Sequence, residues 1–136
     1  ALLAQCSSLR TSCRAKKDSV HQTESLVVGT EGESVTLCSY DTSSDYIYLY
    51  WYRQYPNEAP QFLLYKGARS QGDEHIPDSR FSTTTSRSST ALHIKDLTLA
   101  DTALYYCALR VAHENNKVHL ETKYDELIMS RHEVVY

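Results

Sequence analysis

At 136 residues, with 41% hydrophobic residues and a formal net charge of −3, the chain has material for one domain around one core rather than two. Its charges are mixed in sign and include no Lys/Arg run able to grip phosphates, which argues against a nucleic-acid partner. No stretch approaches the ~20 apolar residues of a membrane helix, so this segment is expected to make no membrane contact of its own.

Residues 1–17 start Ala1-Leu2-Leu3-Ala4, carry Cys6 and Cys13, and lack strand alternation. With the small-residue passage Ser12-Cys13-Arg14-Ala15 near their end, they read as a leader remnant or disordered extension. Over 18–110 the pattern changes to short runs rich in Val, Thr, Tyr, Leu and Ile, cut by turn clusters such as Glu31-Gly32-Glu33 and Asp41-Thr42-Ser43-Ser44-Asp45. Many short strands with frequent turns predict an all-β sandwich or barrel.

Strand alternation assigns faces. Leu49 and Trp51 share one side, and Tyr50, Tyr52 and Gln54 the other; Ala103, Tyr105 and Cys107 oppose Leu104, Tyr106 and Ala108; Leu92 and Ile94 oppose His93 and Lys95. The 11 tyrosines, beside two Phe and one Trp, gather mostly at 40–65 and 105–106. Tyr gives wide contact area at low entropic cost, as a recognition surface needs, and it is also simply a good strand former.

Four cysteines favour disulfides made in an oxidising compartment, and four allow three pairings. The six histidines, His21, His75, His93, His113, His119 and His132, show neither HExxH nor C-x-x-C spacing, and no GxSxG elbow occurs. They read as surface side chains, so neither catalysis, metal nor cofactor is expected.

The order Cys38, Trp51, Cys107, with Asp101-Thr102-Ala103-Leu104-Tyr105-Tyr106-Cys107, resembles the signature of immunoglobulin domains. The stretch from Trp51-Tyr52-Arg53-Gln54 to Leu63-Leu64-Tyr65 is similar to the second framework of T-cell receptor alpha and delta variable segments, and 101–110, ending Cys-Ala-Leu-Arg, to their third. Antibody light chains share the architecture. The resemblance covers 18–110 and implies a V-type Greek-key β-sandwich whose work is binding.

It implies a Cys38–Cys107 bridge, closing a loop of about 70 residues and worth about 4 kcal/mol in the chain-entropy picture. It also implies a core containing Trp51, Tyr105, Leu49, Leu92, Ile94 and Phe81, and an ion pair between Arg80 and Asp101 at the base of the sandwich. Tyr52, Gln54, Pro60 and Tyr106 fall on the face that packs against a second variable domain, of beta or gamma type. Antigen, a peptide or other ligand on a histocompatibility-type molecule, would meet loops at about 41–48, 66–72 and after Cys107. The contact residues expected there are Asp41, Ser43, Asp45, Tyr46, Tyr48, Lys66, Arg69, Leu109 and Arg110. The expected location is extracellular, in a plasma-membrane receptor whose anchor lies outside this chain. Other readings within the resemblance are an unpaired innate or adhesion receptor and a non-functional germline segment.

Two features depart from the family pattern. Ser34-Val35-Thr36-Leu37-Cys38 lacks the residue that normally separates Leu from Cys, which turns Val35 and Leu37 outward if Cys38 faces in. A bend or register shift over 36–38 is expected to absorb this, with the bridge still formed. Residues 111–136 contain no Gly, so the usual Phe-Gly-x-Gly of the last strand is missing; 117–124 alternates and is a candidate substitute edge strand.

Overall fold

The period-two pattern folds as expected into two packed sheets. A computed structural model describes residues 18–22, 26–28, 33–112 and 126–135. Its strands are β1 (Ser19–Gln22), β2 (Leu26–Val28), β3 (Glu33–Asp41), β4 (Tyr46–Gln54), β5 (Gln61–Arg69), β6 (Glu74–His75), β7 (Phe81–Thr85), β8 (Ser89–Lys95), β9 (Ala103–Val111) and β10 (Glu126–Val135). One sheet runs β1-β3-β8-β7 and the other β2-β10-β9-β4-β5-β6. Only β2 and β10 pair in parallel among the described strands.

Residues of alternate parity fill the space between the sheets. Trp51, Tyr105, Leu49, Leu92, Ile94 and Phe81 are all buried in one core cluster. Trp51 stands opposite Cys107 in the β4–β9 ladder, and its indole N–H donates to the buried Thr90 hydroxyl at 3.4 Å. A buried ring nitrogen is thereby satisfied. Cys38 and Cys107 are disulfide-bonded across the sheets, 69 positions apart, with Cα atoms 6.7 Å from each other.

The base of the sandwich is tied by a polar cluster. Thr98 caps a 3-10 turn at Leu99–Asp101, and the Asp101 carboxylate accepts from the Thr98 backbone N–H at 2.9 Å. The same carboxylate takes a 2.7 Å bond from Arg80 and lies 3.8 Å from Arg53. Burial pushes the Asp101 pKa up, but the Arg80 and Thr98 hydrogen bonds and the two cationic charges outweigh it and hold it below the usual carboxylate value. Tyr105 donates its hydroxyl to the Asp101 carbonyl at 2.7 Å, fixing the corner where β9 begins. Burial raises that phenol to about 12.

Strand β3 departs from the expectation of a bend over 36–38. Its ladder with β8 runs in unbroken register from Glu33↔Lys95 to Ser39↔Ser89. The missing residue is not absorbed, and side-chain parity simply inverts: Val35 is 46% and Leu37 49% exposed, while Thr36 is fully buried at 0%. The Thr36 hydroxyl has no hydrogen-bond partner among the described residues. Magnitudes explain why the strand does not slip. Fully burying a Val or Leu gains ~1.5–3 kcal/mol, and about half of that has been reached already, so roughly 1.5–3 kcal/mol in all is forgone for the two. Slipping by one would turn Cys38 outward and forfeit a bridge worth about 4 kcal/mol, and it would expose the buried Tyr40 as well.

At the other end of the chain, 117–124 lies outside the described residues, as does 1–17. The edge beside β9 is taken by β10, which pairs antiparallel with β9 from Glu126↔Val111 to Val134↔Ala103 and then with β2. A last strand is thus present without the glycines that mark it in sequence.

Candidate functional site

Two surfaces follow from this frame. The first is the outer face of β4, β5 and β9. Outward parity brings Tyr50, Tyr52 and Phe62 together: Tyr50 and Tyr52 stack at 6.2 Å, and Phe62 meets both edge-on at 6.2 and 6.1 Å. Tyr65 tilts against Tyr50 at 5.2 Å, and His75 of β6 stacks on Phe62 at 6.0 Å. Tyr52, Gln54 and Tyr106 are half-buried, Pro60 and Phe62 exposed. Tyr52 and Tyr106 are directly opposite in the β4–β9 ladder.

Gln54 sits at the end of this face. Its carbonyl accepts from the Tyr106 hydroxyl at 2.5 Å and its amide donates to the Glu58 carbonyl at 2.8 Å. A carboxamide has two donor hydrogens and two lone pairs, so one of each is left for a further partner. An open depression of ≈ 330 Å³ adjoins it, lined by Gln54, Pro56, Thr102, Ala103 and Leu104. Tyr50, Phe62, Tyr65 and His75 were not singled out for this face by motif. The signal for Tyr50 was its parity with Tyr52; the contribution of Phe62, Tyr65 and His75 from β5 and β6 needed the fold.

The second surface is the end of the sandwich that holds the turns after β3, β5 and β7. Strands run further into it than expected. β4 starts at Tyr46 because Ile47 and Leu49 both bury, leaving 42–45 as the loop rather than 41–48. β5 extends through Arg69, so the second loop is 70–73 rather than 66–72. It folds back tightly: a Cβ on Gly67 would stand 2.7 Å from the Gln71 backbone carbonyl, so only glycine fits.

The expected contact residues separate accordingly. Ser43 and Asp45 are exposed, while Asp41, Tyr46, Tyr48, Lys66 and Arg110 are half-buried. Lys66 pairs with Glu74 at 3.7 Å, and Arg110 lies 5.6 Å over the Tyr48 ring. Leu109 requires correction. β9 continues to Val111, and the parity of Tyr105 and Cys107 carries Leu109 into the core at 0% exposure, so it offers nothing to a ligand.

Arg69 also differs from an outward contact residue. Its backbone is in the left-handed region at φ 60°, costly for a residue with a Cβ. Its guanidinium donates to Thr42 O and Ser44 O, both at 2.7 Å, and to Arg87 O at 2.7 and 3.1 Å. The charge lies 5.3 Å over the Tyr40 ring. Burial raises the Tyr40 phenol pKa, and the positive charge of Arg69 partly opposes the rise.

The profile of the immunoglobulin V-set domain matches residues 22–125. The rabbit (Oryctolagus cuniculus) "T-cell receptor alpha chain V region RL-5" is 44% identical over 112 residues, covering 80% of this chain and 80% of the relative. The mouse (Mus musculus) "T-cell receptor alpha chain V region CTL-F3" is 41% identical over 99 residues, covering 71% and 72% respectively. Human (Homo sapiens) "T cell receptor alpha variable 18" is 36% identical over 100 residues, covering 71% and 86%.

Proposed function

The chain belongs to the immunoglobulin V-set family and is an antigen-recognition variable domain of the T-cell receptor alpha type, and we propose that it works as one half of a paired recognition unit. The partner is a second variable domain, of beta or gamma type, docked on the aromatic face of β4, β5 and β9. The observation that carries this is the contiguous ring cluster of Tyr50, Tyr52, Phe62 and Tyr65, with Gln54 beside it holding one donor and one acceptor in reserve. Large amphipathic rings at the centre of a patch are typical anchors of protein interfaces, and a half-exposed cluster of this kind asks for a covering surface.

The loops 42–45 and 70–73 lie together at one end of such a pair. Their ligand is a peptide or other antigen on a histocompatibility-type molecule. The domain acts outside the cell, as part of a membrane receptor, and its work is binding rather than catalysis.

Co-expression with beta-type and gamma-type receptor chains, scored by native mass spectrometry, tests the pairing. A one-to-one heterodimer is expected with at least one of them. Tyr52→Lys places an unpaired charge in the interface centre and is expected to weaken pairing by about 100-fold, which corresponds to ~2.7 kcal/mol. A chain that stays monomeric beside every partner, or a heterodimer indifferent to Tyr52→Lys, would overturn the proposal.

A further inference from the structure

Three backbone carbonyls from two turns far apart in sequence converge on one side chain. Four hydrogen bonds from Arg69 reach Thr42 O and Ser44 O in the turn after β3, and Arg87 O in the turn after β7. A guanidinium has five N–H donors in a rigid plane, and these bonds engage both ends of that fork and its Nε. The next residue completes the tie to the first turn: Ser70 donates its N–H and its hydroxyl to Asp45 O, at 3.2 and 2.5 Å. Beneath the guanidinium, Tyr40 closes the circuit by donating its hydroxyl to Ser86 O, and its backbone N–H to Ser88 O at 2.9 Å.

We propose that Arg69 is a positioning residue that locks the loops 42–45 and 70–73 and the turn 86–88 into one rigid unit at the recognition end. Its left-handed backbone fits such a role, because an unfavourable conformation persists only where surrounding contacts over-determine it. A rigid loop end binds without first having to be ordered, so Arg69 acts on recognition through the loops it holds rather than by touching ligand. That use in recognition rests on the variable-domain reading above, whereas the coupling of the loops is measurable on the full chain alone.

Amide hydrogen exchange on the full chain, resolved by residue, reads the coupling. Ser44, Tyr46 and Ser70 report the first and second loops, since their N–H groups bond to Thr42 Oγ1, Ser44 Oγ and Asp45 O. Tyr40, Ser86 and Ser89 report the turn after β7, bonded to Ser88 O, Ser89 O and Ser86 Oγ. Arg69→Lys keeps the charge but has no planar fork. It is expected to speed exchange at both groups together by about tenfold while the ladder around Trp51 and Cys107 is unchanged.

Arg69→Gly removes the fork and also relieves the positive φ, so it holds the fold even if the lysine variant does not; the same paired loosening is expected. Tyr40→Phe keeps the ring under the guanidinium and removes the hydroxyl that bonds Ser86, and it should loosen the turn after β7 more than the loops 42–45 and 70–73. Loosening of one group without the other in both Arg69 variants, or of neither, would overturn the coupling. A coupled loop end in a chain that pairs with no partner would leave the latch standing and sink the pairing; a pairing chain with uncoupled loops would do the reverse.

Discussion

Strands β3 and β9 are both nine residues long, both central to their sheets, and are joined by the one disulfide among the described residues. They obey their own sequences very differently. In β9, parity and hydrophobicity agree: Ala103, Tyr105, Cys107 and Leu109 all point into the core. In β3 they conflict. Thr36, Cys38 and Tyr40 go in, and Val35 and Leu37 stay at the surface. A cysteine with a partner fixes which parity faces in, and the neighbouring side chains then accept whichever face remains. Hydrophobic pattern is a strong guide to a strand's buried face only where nothing covalent outranks it.

Removing the bridge breaks the comparison most directly. Cys38→Ala with Cys107→Ala is expected to lower unfolding stability by about 4 kcal/mol, measured by urea denaturation under the same conditions as the parent. It also frees β3 from its parity. A one-residue slip against β8 would then bury Val35 and Leu37, at the cost of exposing Tyr40. Thiol labelling of an added Leu37→Cys reports which register is held. Rapid labelling with a stability loss under about 1 kcal/mol would show that the bridge is not what sets the face.

Much of this was legible before the fold. Motif and period two together marked Trp51, Tyr105, Cys107, Leu92 and Ile94, because each sits where local pattern and tertiary packing ask for the same residue. Strand limits were less legible. Tyr46 and Tyr48 suit a loop paratope and a strand equally by type, and only the burial of Ile47 between them settles the matter. Leu109 needed nothing more than its parity continued two residues past Cys107. The role of Arg69 has no local signal, since all its acceptors are backbone carbonyls that any residue could supply. The position of β10 was hidden for a related reason. Alternation recurs in 117–124, and without bulge glycines the sequence carries no mark to select between that stretch and the one that pairs.

The entrance to β9 sharpens the contrast. β9 is held at its start by the Asp101 cluster, where one buried carboxylate serves Arg80, Arg53 and the Thr98 N–H. Asp101→Ala leaves those donors without their acceptor and is expected to cost about 2–3 kcal/mol in the same denaturation assay. The pH dependence has a definite sign. The folded pKa of Asp101 is lowered, so its contribution is complete above the unfolded carboxyl value of about 3.9 and is lost as pH falls through the folded value. The parent should therefore weaken more steeply below about pH 4 than Asp101→Ala, and parallel acid limbs would mean the cluster does not hold that charge.

The smallest changes test the inverted strand itself. Thr36 buries a hydroxyl with no partner among the described residues, so the near-isosteric Thr36→Val removes a desolvated polar group and adds apolar surface to the core. A gain of about 1 kcal/mol is expected. Leu37, its neighbour, is half exposed, so Leu37→Thr should change stability by no more than about 0.5 kcal/mol and lessen the exposed apolar surface. The signs distinguish the two registers. Were Leu37 turned into the core, its replacement by Thr would cost roughly 2–3 kcal/mol, and Thr36→Val would be neutral because the hydroxyl would already face water. A stabilising change at the polar position beside an indifferent one at the large apolar position is the outcome that only the inverted β3 produces.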